Sequence, residues 1–359
     1  MATGVYLKSC EINNYRGLRK LTHNGFKRIN LVGGLNGSGK TSLLEALFLL
    51  NDRRNPSPIS RPFHWRNLEL NVEESFRFTA SNEQLSVPVT ISAQTKNGRQ
   101  TVRLQWEEQQ DPEQSDPLKI NMAKAALDFS TTQRMGLTLY ATVDGEPTQE
   151  THILDAGPQQ LKLRHARPST GVVALCTMLS KATMHSQAEL AERFTLALQK
   201  KLRRRLVSIA SAITPKIKDL ELLQLGSASI LCGVLHDETY LPLNMLGDGT
   251  LTAISIALAI IQCAKGIVFL DEFDTAIHFS KLATVWNIIA ELAKEFETQI
   301  FAATHSLECI RAAEATFSAS NLNNDFVYLR LDRLKTEVIV TAYSSSELSS
   351  ALKEEWEVR

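Results

Sequence analysis

Cysteine is scarce in this 359-residue sequence: Cys10, Cys176, Cys232, Cys263 and Cys309 are odd in number, widely scattered and never paired as CxxC. This excludes a disulfide framework or a cysteine zinc site and fits reduced, mostly buried thiols in a cytosol. Neither sign of charge is in excess: 39 Lys and Arg balance 39 Asp and Glu. No global field therefore draws the chain to nucleic acid or to an anionic membrane, and any such binding needs a local patch. No apolar run reaches the roughly 18 residues that span a bilayer. The opening Met1-Ala2-Thr3-Gly4 lacks the basic and apolar regions of a signal peptide, so a cytoplasmic location is expected. Internal repeats are also missing. What the chain does have, 43% hydrophobic and 22% charged residues, is globular and excludes disorder.

The pattern along the chain alternates strands and helices. Val5–Ile12 and Arg28–Val32 read as strands, and Thr41–Leu50 as a helix carrying Leu43, Leu44, Leu47 and Leu50 on one stripe. Residues 51–68, with three prolines and several arginines, read as an ordered loop. Ser86–Ala93, Thr101–Trp106 and Leu137–Val143 alternate as antiparallel strands do, and the acidic, Gln/Pro-rich stretch 107–118 is expected to be a mobile surface loop. Ser186 and Glu189 form a capping box ahead of leucines and isoleucines spaced by three and four up to Ile213, which predicts one long amphipathic helix ended by Pro215. Beyond it come a strand at 227–235, an apolar helix from Thr250 to Cys263, and strand Gly266–Asp271, apolar throughout as in a sheet covered on both faces. A helix at about 280–296, strand Gln299–Ala303, a helix at about 307–315 and strands 325–331 and 336–343 complete the reading.

Three segments carry chemistry. Gly34-Leu35-Asn36-Gly37-Ser38-Gly39-Lys40-Thr41 satisfies GxxxxGK[ST] between a strand and a helix. Its glycines let backbone N–H groups converge on phosphate oxygens, and the helix N-terminus adds a positive dipole end. Lys40 supplies a charge to the β- and γ-phosphates, Thr41 a hydroxyl to Mg²⁺, and Ser42 continues the cradle. Asp271-Glu272 ends an apolar strand, where parallel sheets open onto ligands. Asp271 suits the Mg²⁺ shell, and Glu272 suits orienting or deprotonating a water. Thr304-His305-Ser306 follows another strand, so His305 can reach a γ-phosphate. A fourth segment, Leu246-Gly247-Asp248-Gly249-Thr250, precedes the apolar helix. Asp248 beside a phosphate would cost about 4 kcal/mol per unit pair at 4 Å. It is therefore read as the helix N-cap, with Gly247 and Gly249 offering backbone donors.

In this order the motifs resemble the ABC-type ATPases, and more narrowly the OLD and RecF relatives (AAA, SMC-related). Glu11-Ile12-Asn13-Asn14-Tyr15-Arg16-Gly17-Leu18 is similar to their N-terminal strand motif, 242–250 to the OLD form of the signature turn, and 269–278 to their extended acidic-pair motif. The resemblance implies an α/β P-loop NTPase of ABC-ATPase head type, with a mixed-sheet core, an antiparallel β subdomain and an inserted helical lobe. The division would be 1–175, 176–225 and 226–359. It implies ATP and Mg²⁺ as cofactors, with Lys40, Thr41, Asp271, Glu272 and His305 acting in one subunit. Gly247, Asp248 and Gly249 would close over ATP held by a second copy, giving composite sites in a homodimer or higher oligomer. The signature turn lacks the usual serine, and the family's Mg²⁺-touching glutamine has only Gln84 as a candidate. Lys40 and Leu246 are 206 residues apart, too few for long coiled-coil arms, and the 54 residues after His305 leave no room for a Toprim nuclease. The chain thus resembles stand-alone ATPase subunits of phage-defence systems such as Septu and PARIS, with a nuclease or toxin as a separate effector.

Two basic sets remain. Lys200, Lys201, Arg203, Arg204 and Arg205 could grip a nucleic-acid backbone, although a solvated face with local ion pairs is the preferred reading. Arg53, Arg54, Arg61, Arg66 and Trp65 fit DNA, a partner or loop packing equally. His236 and His278 lack neighbours at metal spacing. The expectation is a slow, regulatory ATPase of an antiviral system. The alternatives are a RecF-like DNA clamp and a non-catalytic ATP-bound scaffold. A transporter subunit is disfavoured by the missing LSGGQ-type turn.

Overall fold

The computed structural model describes residues 5–359 except 56–58, 67, 82–83, 110–133, 158–159, 171, 182, 185, 227, 320–321 and 336. Strands β1 (Leu7–Tyr15) and β2 (Leu18–Asn24) form a hairpin and lead to β3 (Ile29–Gly33) and helix α1 (Lys40–Asp52). Short helices α2 (Arg61–His64) and α3 (Val72–Arg77) precede β4 (Val89–Thr95), β5 (Gly98–Gln109), β6 (Arg134–Val143), β7 (Glu146–Gly157) and β8 (Gln160–Arg167). Then come β9 (Cys176–Leu179), α4 (Gln187–Gln199), α5 (Arg203–Ile213), β10 (Ile217–Leu225), β11 (Ala228–Leu235) and β12 (Tyr240–Pro242). The last part holds α6 (Asp248–Gln262), β13 (Ile267–Asp271), α7 (Phe279–Glu295), β14 (Gln299–Ala303), α8 (Leu307–Ser318), β15 (Phe326–Leu334), β16 (Glu337–Tyr343) and α9 (Ser345–Lys353).

The strands make three sheets, ordered β2-β1-β4-β5-β6-β7-β8, β10-β11-β12 and β16-β15-β3-β14-β13-β9. The first two are antiparallel. In the third, β15, β3, β14, β13 and β9 run parallel and β16 returns antiparallel. Both faces of this mixed sheet are covered, which explains its unbroken apolar strands. Ile29, Leu31, Val268, Leu270, Ile300 and Ala302 face the cluster built with α6, α7 and α8. Val32, Ile267, Phe269, Phe301 and Ala303 face α1 and the antiparallel sheet. At the centre of that second face Phe269 stacks on Phe301 at 5.4 Å and meets the edge of Phe48 on α1 at 6.1 Å.

Several expectations need correction. The single helix foreseen over 186–213 is two. Lys201 adopts the left-handed region (φ 60°), Leu202 N–H returns to the Ala197 carbonyl and Lys201 N–H to Leu198. This is a Schellman end with lysine where glycine is usual, which is why no glycine announced it. The stretch expected as a loop from 107 begins as strand, since Glu107–Gln109 belong to β5; residues 110–118 lie outside the described residues. The boundary drawn at 175/176 puts β9 with the helices, yet β9 pairs with β13 in the mixed sheet. The boundary at 225/226 falls inside the β10–β11 hairpin, paired from Ile217↔Leu235 to Leu225↔Ala228. Four cysteines are buried and all five are free.

The basic sets are largely spent on packing. Arg203 binds Asp219 and Glu221 at 2.9–3.0 Å, Arg205 pairs with Glu291, and Lys200 Nζ donates to the Ile261 carbonyl. Arg53 is 1% exposed and donates to Leu50 O and Gln100 Oε1; Arg61 pairs with Asp52, Arg66 with Glu45, and Trp65 packs on Phe48.

Replacing Phe269 by Ala should open the shared face of sheet and α1. A loss of about 3–5 kcal/mol is expected in urea unfolding; a change below about 1 kcal/mol would contradict the packing described.

Candidate functional site

The register of the mixed sheet brings the separate motifs together. Val32 stands beside Ala303, and Ala303 beside Asp271, in one row across β3, β14 and β13. The chain leaves each strand just past this row. From β3 it enters the glycine loop, from β14 the turn Thr304–Ser306, and from β13 the turn headed by Glu272.

Local constraints shape the loop. Gly34 has φ +139°, and a Cβ there would lie 2.5 Å from the Leu331 carbonyl oxygen. Gly39 caps α1 in the left-handed region, and no acidic residue occupies the helix's first turn. The dipole end is therefore left for an anion. Leu35, Asn36 and Gly37 are exposed, while Ser38 and Lys40 are buried. Ser38 Oγ has no hydrogen-bond partner among the described residues. Lys40 Nζ curls over the loop, donating to Gly34 O at 2.7 Å and Leu35 O at 3.0 Å. Burial lowers its pKa, opposed by Glu272, Asp271 and Asp274.

Thr41 Oγ1 lies 3.0 and 3.1 Å from the two carboxylate oxygens of Asp271, across 230 residues of sequence. Burial pushes Asp271 up to about 6, with the Thr41 hydrogen bond opposing. Glu272 turns the chain in the left-handed region (φ 50°, ψ 37°). Its N–H donates to Ala303 O at 3.1 Å, and Thr275 Oγ1 donates to its carbonyl at 2.9 Å. This backbone aims the side chain away from Asp271's sheet row, leaving it half exposed with Oε1 3.5 Å from His305 Nδ1. Hydroxyl and carboxylate oxygens side by side are hard donors that suit Mg²⁺. The buried, unpartnered Ser38 hydroxyl and the glycine cradle suit phosphate oxygens. The residues present thus fit both groups.

The glycine turn packs against the turn that Glu272 heads. Gly247 (φ 114°, ψ 143°) is the N-cap of α6, and Asp248 is its first helical residue, which corrects the expectation that Asp248 caps it. Glycine takes the cap because φ there is positive; Asp248 is exposed and contributes its charge to the helix start. A Cβ on Gly249 would meet Ala276 O and Ile213, not the phosphate loop. Gln84 is exposed, with backbone hydrogen bonds to Ser81 and Val87. His278 caps α7 through Nδ1 and Ser280.

The sequence reading missed two supports. Glu45, fully buried on α1 four residues past Thr41, pairs with Arg16 of the β1–β2 turn and with Arg66. Asp274, 6% exposed, accepts from Thr304 Oγ1 at 2.7 Å. A lone acid inside a helical stripe and an acid two residues past the acidic pair were their only signals.

This fold and arrangement define an ABC-type ATPase head. Among solved structures, an Smc head bound to the C-winged helix domain of ScpA aligns with TM-score 0.51 and 12% identity over 97% of this chain and 99% of that one. An Smc head with an extended coiled coil bound to the C-terminal domain of ScpA from Pyrococcus furiosus aligns at 0.50 and 11% over 98% and 99%. At such identity the likeness concerns the fold. The chain belongs to the family described as "AAA domain, putative AbiEii toxin, Type IV TA system", whose model matches residues 29–311. It is 19% identical over 345 residues (85% of this chain, 86% of the relative) to an ATP/GTP phosphatase of Helicobacter pylori. It is 29% identical over 100 residues, 28% of the chain, to the DNA replication and repair protein RecF of Idiomarina loihiensis, of which the match spans 26%. A RecF of Teredinibacter turnerae is 40% identical over 70 residues, 20% of this chain and 18% of that one.

The raised Asp271 pKa has a sign. The fold favours the protonated form, so this contribution is full below the ordinary value of 3.8 and is lost as pH rises through about 6. In chelator, Asp271→Asn should exceed the parent in unfolding free energy near pH 7.5 by about 3 kcal/mol, a gap that closes near pH 4. Urea unfolding at both pH values checks this; a variant less stable than the parent near pH 7.5 would refute it.

Proposed function

We propose that the chain binds ATP in the 34–41 loop, with Lys40 on the β- and γ-phosphates and the backbone of Gly34, Asn36, Gly37, Ser38, Gly39 and Ser42 around them. Thr41 and Asp271 would hold Mg²⁺, which supplies charge neutralisation at the phosphates. Glu272 would orient or deprotonate the attacking water, and His305, 3.5 Å from it, would sense the γ-phosphate. The observation that carries this reading is the 3.0 Å contact of Thr41 with Asp271 beside buried Lys40. Gly247, Asp248 and Gly249 open α6 with Gly247 and Asp248 exposed, so they would be free to close on ATP held by a second copy. ATP would then bridge a homodimer, and hydrolysis would release it.

The biological role fits a slow regulatory ATPase that governs a separate nuclease or toxin in antiviral defence. The toxin–antitoxin wording of the family supports this, as does the ABC-type head. The RecF relatives favour a second reading, an ATP-closed DNA clamp. The carboxylate partners of Arg203 and Arg205 weigh against it. ATP-stimulated, salt-sensitive DNA binding lost on neutralising residues 200–205 would favour the clamp. No helix among the described residues is long and apolar enough to cross a membrane.

Lys40→Ala should weaken ATP binding by about 10- to 100-fold, the worth of a charge-assisted hydrogen bond. Glu272→Gln should retain ATP and a dimer by sedimentation while hydrolysis falls about 10²–10⁴-fold. Lys40→Ala binding ATP as the parent does would overturn the site. Parent-like hydrolysis in Glu272→Gln would overturn the catalytic role, and a variant matching the parent in both turnover and biological activity would support the scaffold alternative. Purification from the native operon should recover an effector whose association differs between ATP and ADP.

A further inference from the structure

Between the acidic pair and the histidine turn lies a buried hydrogen-bond chain with no part in the reading above. Thr304 follows β14 and is fully buried. Its N–H donates to Val32 O at 3.0 Å, fixing it to the strand that feeds the glycine loop. Its hydroxyl donates to Asp274 Oδ2 at 2.7 Å and accepts from Ser306 N–H at 2.9 Å. Ser306 Oγ in turn caps α8 by accepting from Cys309 N–H at 3.1 Å. His305 is thus the one residue bracketed by this closed turn. The hydroxyl has a single proton. Committing it to Asp274 turns a lone pair toward Ser306 and so holds the turn shut.

At the other end, Asp274 sits two residues past Glu272 in the 3₁₀ turn Phe273–Ala276, and its own carbonyl accepts from Ile277 N–H. One side-chain contact therefore joins the turn that bears Glu272 to the turn that bears His305. A buried carboxylate is costly unless it is bonded. Asp274 is 6% exposed and its Oδ1 has no hydrogen-bond partner among the described residues. Packing alone would favour an uncharged residue here.

We infer that Asp274 and Thr304 are positioning residues that set the distance between Glu272 and His305. Neither touches the reacting atoms. The inference rests on the proposed roles of Glu272 and His305, and its test separates the two. Thr304→Val keeps the shape and removes the hydroxyl; Thr304→Ser keeps the hydroxyl. Asp274→Ala removes the acceptor.

A displacement of the order of 1 Å costs about 10²-fold in rate. Thr304→Val and Asp274→Ala should lower kcat for ATP about 10- to 100-fold, leave the Kd for ATP within about threefold, and shift the His305 imidazole signals in ¹⁵N NMR. Those signals are assigned with His305→Ala. Thr304→Ser should restore both rate and signals. If the parent itself hydrolyses no ATP, the catalytic reading fails, and the His305 signals alone decide the positioning claim. Unchanged signals or parent-like kcat in Thr304→Val overturn the inference. So does a Thr304→Ser variant as impaired as Thr304→Val.

Discussion

The parallel register of β3, β14 and β13 is the constraint on which the rest depends. Strands in a sheet are spaced about 4.8 Å apart. Aligning Val32, Ala303 and Asp271 in one row therefore brings three exits within about 10 Å, although the first lies more than 230 residues before the other two in sequence. A slip of one residue in β13 would turn Asp271 to the opposite face, away from α1 and Thr41. The hydrophobic alternation forbids that slip. Phe269 is packed between Phe48 and Phe301 on one side, and Val268 and Leu270 belong to the other core. The geometry of the site is thus enforced by apolar packing several ångströms behind it.

Helix α1 is tied by charge as well as by apolar contact. Glu45 lies one turn beyond Thr41, and its two arginines come from the β1–β2 turn and from the segment after α2. Arg16 also lies over the rings of Tyr15 and Phe63. A carboxylate buried without partners would be strongly disfavoured, and paired with two guanidinium groups it holds α1 in one position. The helix that opens the phosphate loop is therefore clamped between the antiparallel sheet and the core sheet. The half-exposed Glu272 and His305 face outward from this rigid base.

Much of this was legible in the chain itself, and the gaps have physical causes. Strand Gln299–Ala303, the glycine loop and the acidic pair announced themselves because each satisfies a strict local requirement: an unbroken apolar run, positive φ, or charge at a strand end. Edge and linking elements did not. Strand β9 is four residues with half-buried Cys176 and Thr177, too short to show a period. Strand β2 carries Arg19, Lys20 and Thr22 outward and has no apolar run to mark it. The break at Lys201 has no glycine or proline to mark it; Leu202 packs against the core and Leu206 enters it after the turn. For the Asp274–Thr304 contact the sequence offered an acid and a threonine, each ordinary alone and 30 residues apart.

Charge balance then sets what the loop can accept. Lys40 lies within the field of Asp271, Glu272 and Asp274, so the acids around it outnumber the lysine. A phosphate about 4 Å from any one of them would meet repulsion of about 4 kcal/mol per unit pair at moderate screening. Lys40, one cation among three carboxylates, cannot offset this alone. A divalent cation between Thr41 and Asp271 changes the sign of that corner. It would hold Asp271 ionised against the burial that raises its pKa, releasing a proton as it bound at pH values near or below about 6. On the proposed reading, nucleotide and cation are therefore electrostatically interdependent: each removes the charge that makes the other's entry unfavourable.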